Sequence, residues 1–128
     1  MTVDLERMMP LSVLVVEDDE IVRPLMVDAL SLLGLEAIEC ASGDEAINLL
    51  KTDLRISLVL TDVRMPGSID GLALSKLIWA QWPDIPVVIV SGNTVLPPGF
   101  LTANARFLPK PVSLDTLHET VKELLVLQ

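Results

Sequence analysis

Polar residues with reactive side chains stand at, or one residue beyond, the ends of short apolar runs at four places. They are Glu17-Asp18 after residues 12–16, Asp62 after 56–60, Ser91-Gly92 after 85–90 and Lys110-Pro111 after 105–108. Carboxylates gathered in one cleft repel each other and stay ionised only with compensation. A hard divalent cation supplies it, and carboxylates, a backbone carbonyl and water suit Mg2+. Lys110 adds a point cation and Ser91 a hydroxyl, both suited to the oxygens of a phosphoryl group. Asp62 is then the candidate nucleophile, because a carboxylate forms an acyl phosphate when the electrophile is held in line by metal and lysine. The chemistry to expect is phosphoryl transfer.

That chemistry requires the four places to meet, and the order of elements provides for it. Residues 12–16 are apolar and β-branched at both parities, as in a strand covered on both faces. From 21 to 33 the apolar positions Ile21, Leu25, Ala29, Leu32 and Leu33 follow a helical spacing, with Pro24 tolerable in the first turn and Gly34 as the stop. A strand at 36–40 follows, and Ser42-Gly-Asp-Glu45 reads as a capping box opening a helix to Leu50. Next come a strand at 56–60, a helix from Gly71 to Trp82 closed by Pro83, a β-branched strand at 85–90 and a short strand at 105–108. Ser113 caps a last helix carrying Leu114, Leu117, Val121, Leu124 and Leu125 on one face. Strand and helix alternate, so the class is α/β with a parallel sheet covered on both faces. In such a sheet functional groups collect beyond the carboxyl ends of the strands.

Composition narrows the setting. The chain has 128 residues, 51% of them hydrophobic, with 9 Lys plus Arg against 18 Asp plus Glu and a net charge of −9. That is enough for one packed core, and far too apolar for disorder. Without a basic run, direct nucleic-acid binding is not expected. No apolar run approaches the roughly 20 residues a bilayer needs, and Asp4 and Glu6 argue against a signal peptide, so a cytoplasmic chain without membrane contact is expected. Cys40, the single cysteine, reads as a small buried hydrophobe in a reducing compartment. Residues 1–10 read as a lead-in and 11–128 as one domain, with no DNA-binding output domain after it.

The strand-end motifs together resemble the receiver domain of two-component response regulators, from Leu11 to the C-terminus. They are Val-Leu-Val-Val-Glu17-Asp18-Asp19, Leu-Val-Leu-Thr-Asp62-Val-Arg64-Met-Pro66-Gly, Asp70-Gly71-Leu, Val-Ile-Val-Ser91-Gly92 and Phe107-Leu-Pro-Lys110-Pro111. The resemblance implies a flavodoxin-like (βα)5 fold with strand order 2-1-3-4-5. It implies that Asp62 is the phosphoacceptor, taking its phosphoryl group from a sensor histidine kinase or phosphotransfer protein. Glu17, Asp18, Asp62 and the main-chain carbonyl of Arg64 would hold Mg2+, and Asp19 would be a helix-start acid rather than a ligand. Ser91 would be the switch hydroxyl, Gly92 the small neighbour that leaves access, Phe107 the aromatic switch without a tip hydroxyl, and Lys110 the phosphoryl-binding lysine before a cis bond to Pro111. Such a chain is not an enzyme. It switches a surface read by a downstream effector protein.

Departures from the family pattern are visible too. The loop from Met65 to Gly71 is one residue longer than the commonest form. Residues 93–105 must hold the fourth helix, yet Pro97, Pro98 and Gly99 leave room for a turn or two, so that helix should be short or irregular. For the Arg64 side chain, a phosphoryl oxygen and solvent are both open. Other classes fit less well. A receiver-like module that signals without phosphorylation would lose the acids, and an aspartate-nucleophile phosphatase wants a second acid where Arg64 stands. A flavin phosphate would be repelled by Glu17-Asp18-Asp19-Glu20. A receiver excised from a larger regulator or hybrid kinase would carry the same motifs.

Overall fold

The computed structural model describes residues 11–52 and 55–125, so the lead-in expected at 1–10 lies outside the described residues. Five strands run β1 (Ser12–Val16), β2 (Glu36–Cys40), β3 (Ile56–Thr61), β4 (Val87–Ser91) and β5 (Ala105–Pro109). All pair in parallel, in the order β2-β1-β3-β4-β5. Four helices connect and cover them: α1 (Val22–Ser31), α2 (Gly43–Leu50), α3 (Gly71–Gln81) and α4 (Leu114–Leu125).

Each sheet face has its own core, because successive strand residues point to opposite sides. Leu14, Val16, Val59, Val87 and Ile89 pack with Ala46 and Leu50 of α2 and with Leu74 and Ile78 of α3. Val13, Val15, Leu58, Leu60, Val88 and Val90 pack with Met26 and Leu30 of α1 and with Leu117 and Val121 of α4. Thus α1 meets the sheet through Met26 and Leu30. Of the spacing noted in the sequence, Ile21, Leu25 and Leu32 are instead 63–78% exposed. Apolar residues surround α1, so periodicity alone could not choose its inner face.

Local signals set the helix ends. Gly34 has φ +77°, a conformation that stops α1 without a Cβ clash. The Ser42 side chain accepts from the Glu45 amide at 3.2 Å, and Glu45 reaches back to the Ala41 amide at 2.8 Å. Ser42→Ala should therefore cost about 1 kcal/mol in urea unfolding; a change below a few tenths would show that the cap contributes nothing. Asp70 caps α3 through the Ala73 amide at 2.8 Å, and the Ser113 hydroxyl accepts from the Thr116 amide at 3.1 Å ahead of α4.

Between β4 and β5 no helix forms. The short or irregular helix expected there is replaced by turns and extended chain over residues 92–104. Pro97 and Pro98 supply no amide hydrogen, and Gly99 at φ +71° reverses the chain, leaving five residues before β5. Packing substitutes for the helix: the Phe100 ring meets Trp79 edge-on, with centroids 5.1 Å apart, and Lys76 lies 5.7 Å over Phe100.

Candidate functional site

Parallel register carries the strand ends to one edge. Val16 pairs with Cys40 on one side and Thr61 on the other, and Ser91 with Pro109. The ladder continues one step past the strands, Glu17 N donating to Cys40 O, Asp62 N to Val16 O and Lys110 N to Ser91 O, all at 3.0–3.1 Å. Glu17, Asp62 and Lys110 thereby meet although 93 positions separate the first from the last.

Asp62 is 8% exposed, and both its carboxylate oxygens are engaged. Oδ2 accepts from Lys110 Nζ at 2.9 Å and Oδ1 from the Val63 amide at 2.6 Å. Burial opposes ionisation of Asp62, but the Lys110 ammonium and the Val63 amide outweigh it and hold the carboxyl below its ordinary value. Lys110 is likewise pulled down by burial and pushed above its ordinary value by Asp62 and Glu17. The Lys110–Pro111 peptide is cis.

Glu17 is 2% exposed, 4.0 Å from Lys110 through Oε1, and its Oε2 has no hydrogen-bond partner. Burial, then the hydrogen bond and negative charge of Asp62, push its carboxyl up to about 7, Lys110 offsetting only part. One lysine therefore faces two carboxyl groups, and of the two it is Glu17 whose ionisation is opposed. A buried, unpartnered carboxylate oxygen beside an ionised one is what a hard cation would satisfy, so this donor set fits Mg2+.

The remaining candidates are placed less closely. Asp18 is exposed; its charge helps raise Glu17, but among the described residues no three acidic side chains converge into a metal-holding cluster. Arg64 is exposed, and its carbonyl accepts no hydrogen bond among the described residues. Asp19 caps the start of α1, accepting from the Ile21 and Val22 amides at 2.8 and 3.2 Å, which lowers its pKa. Phe107 is half-buried against the core under α2 and α3. Gly92 is exposed, and a Cβ there would meet nothing within 4 Å. Ser91 is 2% exposed, with its hydroxyl on Thr94 Oγ1 at 2.8 Å.

Two contributors were not picked out from the sequence. Arg23 Nη1 donates to the Glu17 carbonyl at 2.8 Å while its Nε lies 3.4 Å from Glu39, so α1 and β2 together hold the turn that carries Glu17. Thr94 engages Ser91. Neither sits at a strand end. Thr94's only sequence signal is a second hydroxyl three residues after the first. Cys40 is buried, and burial pushes its thiol up to about 12, so it is an inert core residue.

Comparison with known proteins agrees with the fold. The sensor kinase CckA of Brucella abortus is 40% identical over 119 residues, covering 89% of this chain and 12% of that protein. The C4-dicarboxylate transport transcriptional regulatory protein DctD of Rhizobium meliloti is 34% identical over 87% of this chain and 24% of its own length. The chain thus spans an eighth to a quarter of these longer relatives. Among solved structures, a response regulator receiver protein from Sinorhizobium medicae superposes with TM-score 0.86 at 26% identity, covering 94% of this chain and 98% of that one. A chain from the complex of histidine kinase ThkA with response regulator protein TrrA gives TM-score 0.79 at 28% identity, over 90% and 98% of the two chains. The family profile described as "Response regulator receiver domain" matches residues 13–122, and with it the chain belongs to the receiver domains of two-component response regulators.

Proposed function

We propose that Asp62 accepts a phosphoryl group from the phosphohistidine of a sensor histidine kinase or phosphotransfer protein. The observation that carries this is the Asp62 carboxylate, held ionised at the end of β3 by Lys110 at 2.9 Å. Asp62 Oδ2 attacks phosphorus as the bond from phosphorus to the histidine nitrogen breaks, and the electron pair returns to the imidazole. Lys110, already on Oδ2, then transfers its hydrogen bond to an oxygen of the arriving group. Glu17, Asp18, Asp62 and the Arg64 carbonyl would hold Mg2+, which supplies charge neutralisation to the phosphoryl oxygens. Ser91 and Phe107 register the new anion, of charge about −1.5 to −2, and bias the surface that a downstream effector protein reads. In this role the chain is an acceptor and switch rather than an enzyme, working in the cytoplasm.

Incubation with a small acyl phosphate or phosphoramidate and Mg2+, followed by intact-mass measurement, tests the reading. Wild type should gain one phosphoryl group, while Asp62→Ala, or wild type with Mg2+ chelated, should gain none. An unmodified wild type, or equal labelling of Asp62→Ala, would sink the proposal.

A further inference from the structure

Thr94 belongs to none of the receiver motifs, yet it holds the hydroxyl most directly concerned with switching. Ser91 Oγ and Thr94 Oγ1 are 2.8 Å apart, and among the described residues the Ser91 hydroxyl has no other partner. The Ser91 main chain is fixed, because it lies in β4 and its carbonyl accepts from the Lys110 amide at 3.0 Å. What remains free is rotation of the side chain. Either hydroxyl can donate in this bond, and in both cases turning the Ser91 side chain away from Thr94, so that its one proton serves a phosphoryl oxygen, breaks it.

Thr94 also begins a segment with few other ties. Among the described residues, the Thr94 hydroxyl makes the sole side-chain hydrogen bond from residues 92–99 to the rest of the molecule, and Val95 is 94% exposed. Anchorage resumes at Phe100, whose ring packs on Trp79, and at Asn104, whose amide donates to the Pro83 carbonyl at 3.1 Å. No helix stiffens the stretch between these two points.

We propose that Thr94 is a positioning residue, a latch that holds the Ser91 hydroxyl on the 92–99 segment in the unphosphorylated state and frees that segment when Ser91 turns to the phosphoryl group. This rests on the phosphoacceptor reading of Asp62 and adds to it what restrains the switch. The latch lowers the population of protein whose Ser91 is ready, so it lowers apparent affinity for a phosphoryl group by that fraction.

The experiment titrates Mg2+ with beryllofluoride, a tetrahedral phosphoryl mimic, into wild type, Thr94→Val, Thr94→Ala, Thr94→Ser and Ser91→Ala, and follows the Val95 methyl resonances. Thr94→Val and Thr94→Ala should bind about fivefold more tightly, the worth of one ordinary hydrogen bond, while Thr94→Ser stays within about twofold of wild type. In the Ser91→Ala background, Thr94→Val should change nothing, an outcome that a purely structural role for Thr94 would not give. Val95 should shift on loading in wild type and not in Ser91→Ala. Equal or weaker binding by Thr94→Val, the same gain without Ser91, or an unmoved Val95 overturns the latch. A wild type that binds no beryllofluoride overturns the phosphoacceptor reading itself, and the latch with it.

Discussion

Gly71→Ala is expected to be among the most damaging single-atom additions in the molecule, lowering the unfolding free energy by about 3 kcal/mol or more. A Cβ at this position would overlap the Asp62 carbonyl oxygen and stand 2.7 Å from both the carbonyl carbon of Asp62 and the Cα of Val63. All three are main-chain atoms, so no side chain can swing aside. Gly71 is also the first residue of α3, and its amide donates to the Val63 carbonyl at 2.8 Å, so the helix starts directly against the Asp62 turn. Relief requires moving α3 or displacing Asp62 from Lys110. The variant should lose stability in urea unfolding, and its folded fraction should take phosphoryl at least tenfold more slowly, an order-of-magnitude figure for a misplaced reacting atom. Gly92→Ala is the control, because open space surrounds that Cβ and stability should change by no more than about 0.5 kcal/mol. Equal costs at the two glycines would show that contact with the Asp62 turn is not what selects glycine at position 71.

The second large effect is on pH. Glu17 has its folded-state pKa raised from 4.5 to about 7, so the native state binds a proton more tightly than the unfolded chain does. Its contribution to stability is fully present below the unfolded value and disappears as pH rises through about 7. Asp62, whose pKa is lowered, works in the opposite sense, but only below its ordinary value of 3.8. Lys110, whose pKa is raised, loses its contribution only above 10.5. Among the described residues, Glu17 alone of the groups with a displaced pKa titrates between pH 5 and 8. Without Mg2+, stability should fall across that interval, by of order 3 kcal/mol at most for a shift of this size. Glu17→Gln should flatten the profile. Under the proposed metal role, Mg2+ should stabilise more at pH 8 than at pH 5, because it competes with the Glu17 proton. Urea unfolding at both pH values, with Mg2+ and with chelator, checks all three; stability rising from pH 5 to 8 in metal-free protein would contradict the account.

Much of this site was legible because of how a parallel α/β sheet is built. Every strand points the same way, so a reactive residue after each apolar run must arrive at the same edge, and Glu17, Asp62 and Lys110 do. The capping box at Ser42 and the stop at Gly34 were legible for a different reason, since each depends on atoms within four residues. Where a choice depended on something distant, reading along the chain failed. The two prolines limited a helix at 92–104, but only the Trp79 ring on α3 offered Phe100 a place to pack without one. Asp18 and Glu17 are adjacent in sequence, yet one is exposed and the other buried, because neighbouring residues at a strand end diverge.

The sequence by itself determined the α/β class, the order of elements and the sheet edge at which Glu17, Asp62 and Lys110 gather. These follow from local propensity, hydrophobic period and the polarity of a parallel sheet. Only the tertiary structure decided which face of α1 is buried, that Gly71 touches the Asp62 turn, that the pKa of Glu17 is raised beside a lowered one at Asp62, and that Ser91 is engaged by Thr94. Each of these depends on distances of a few ångströms between atoms that different elements bring together, and on how much water their packing excludes.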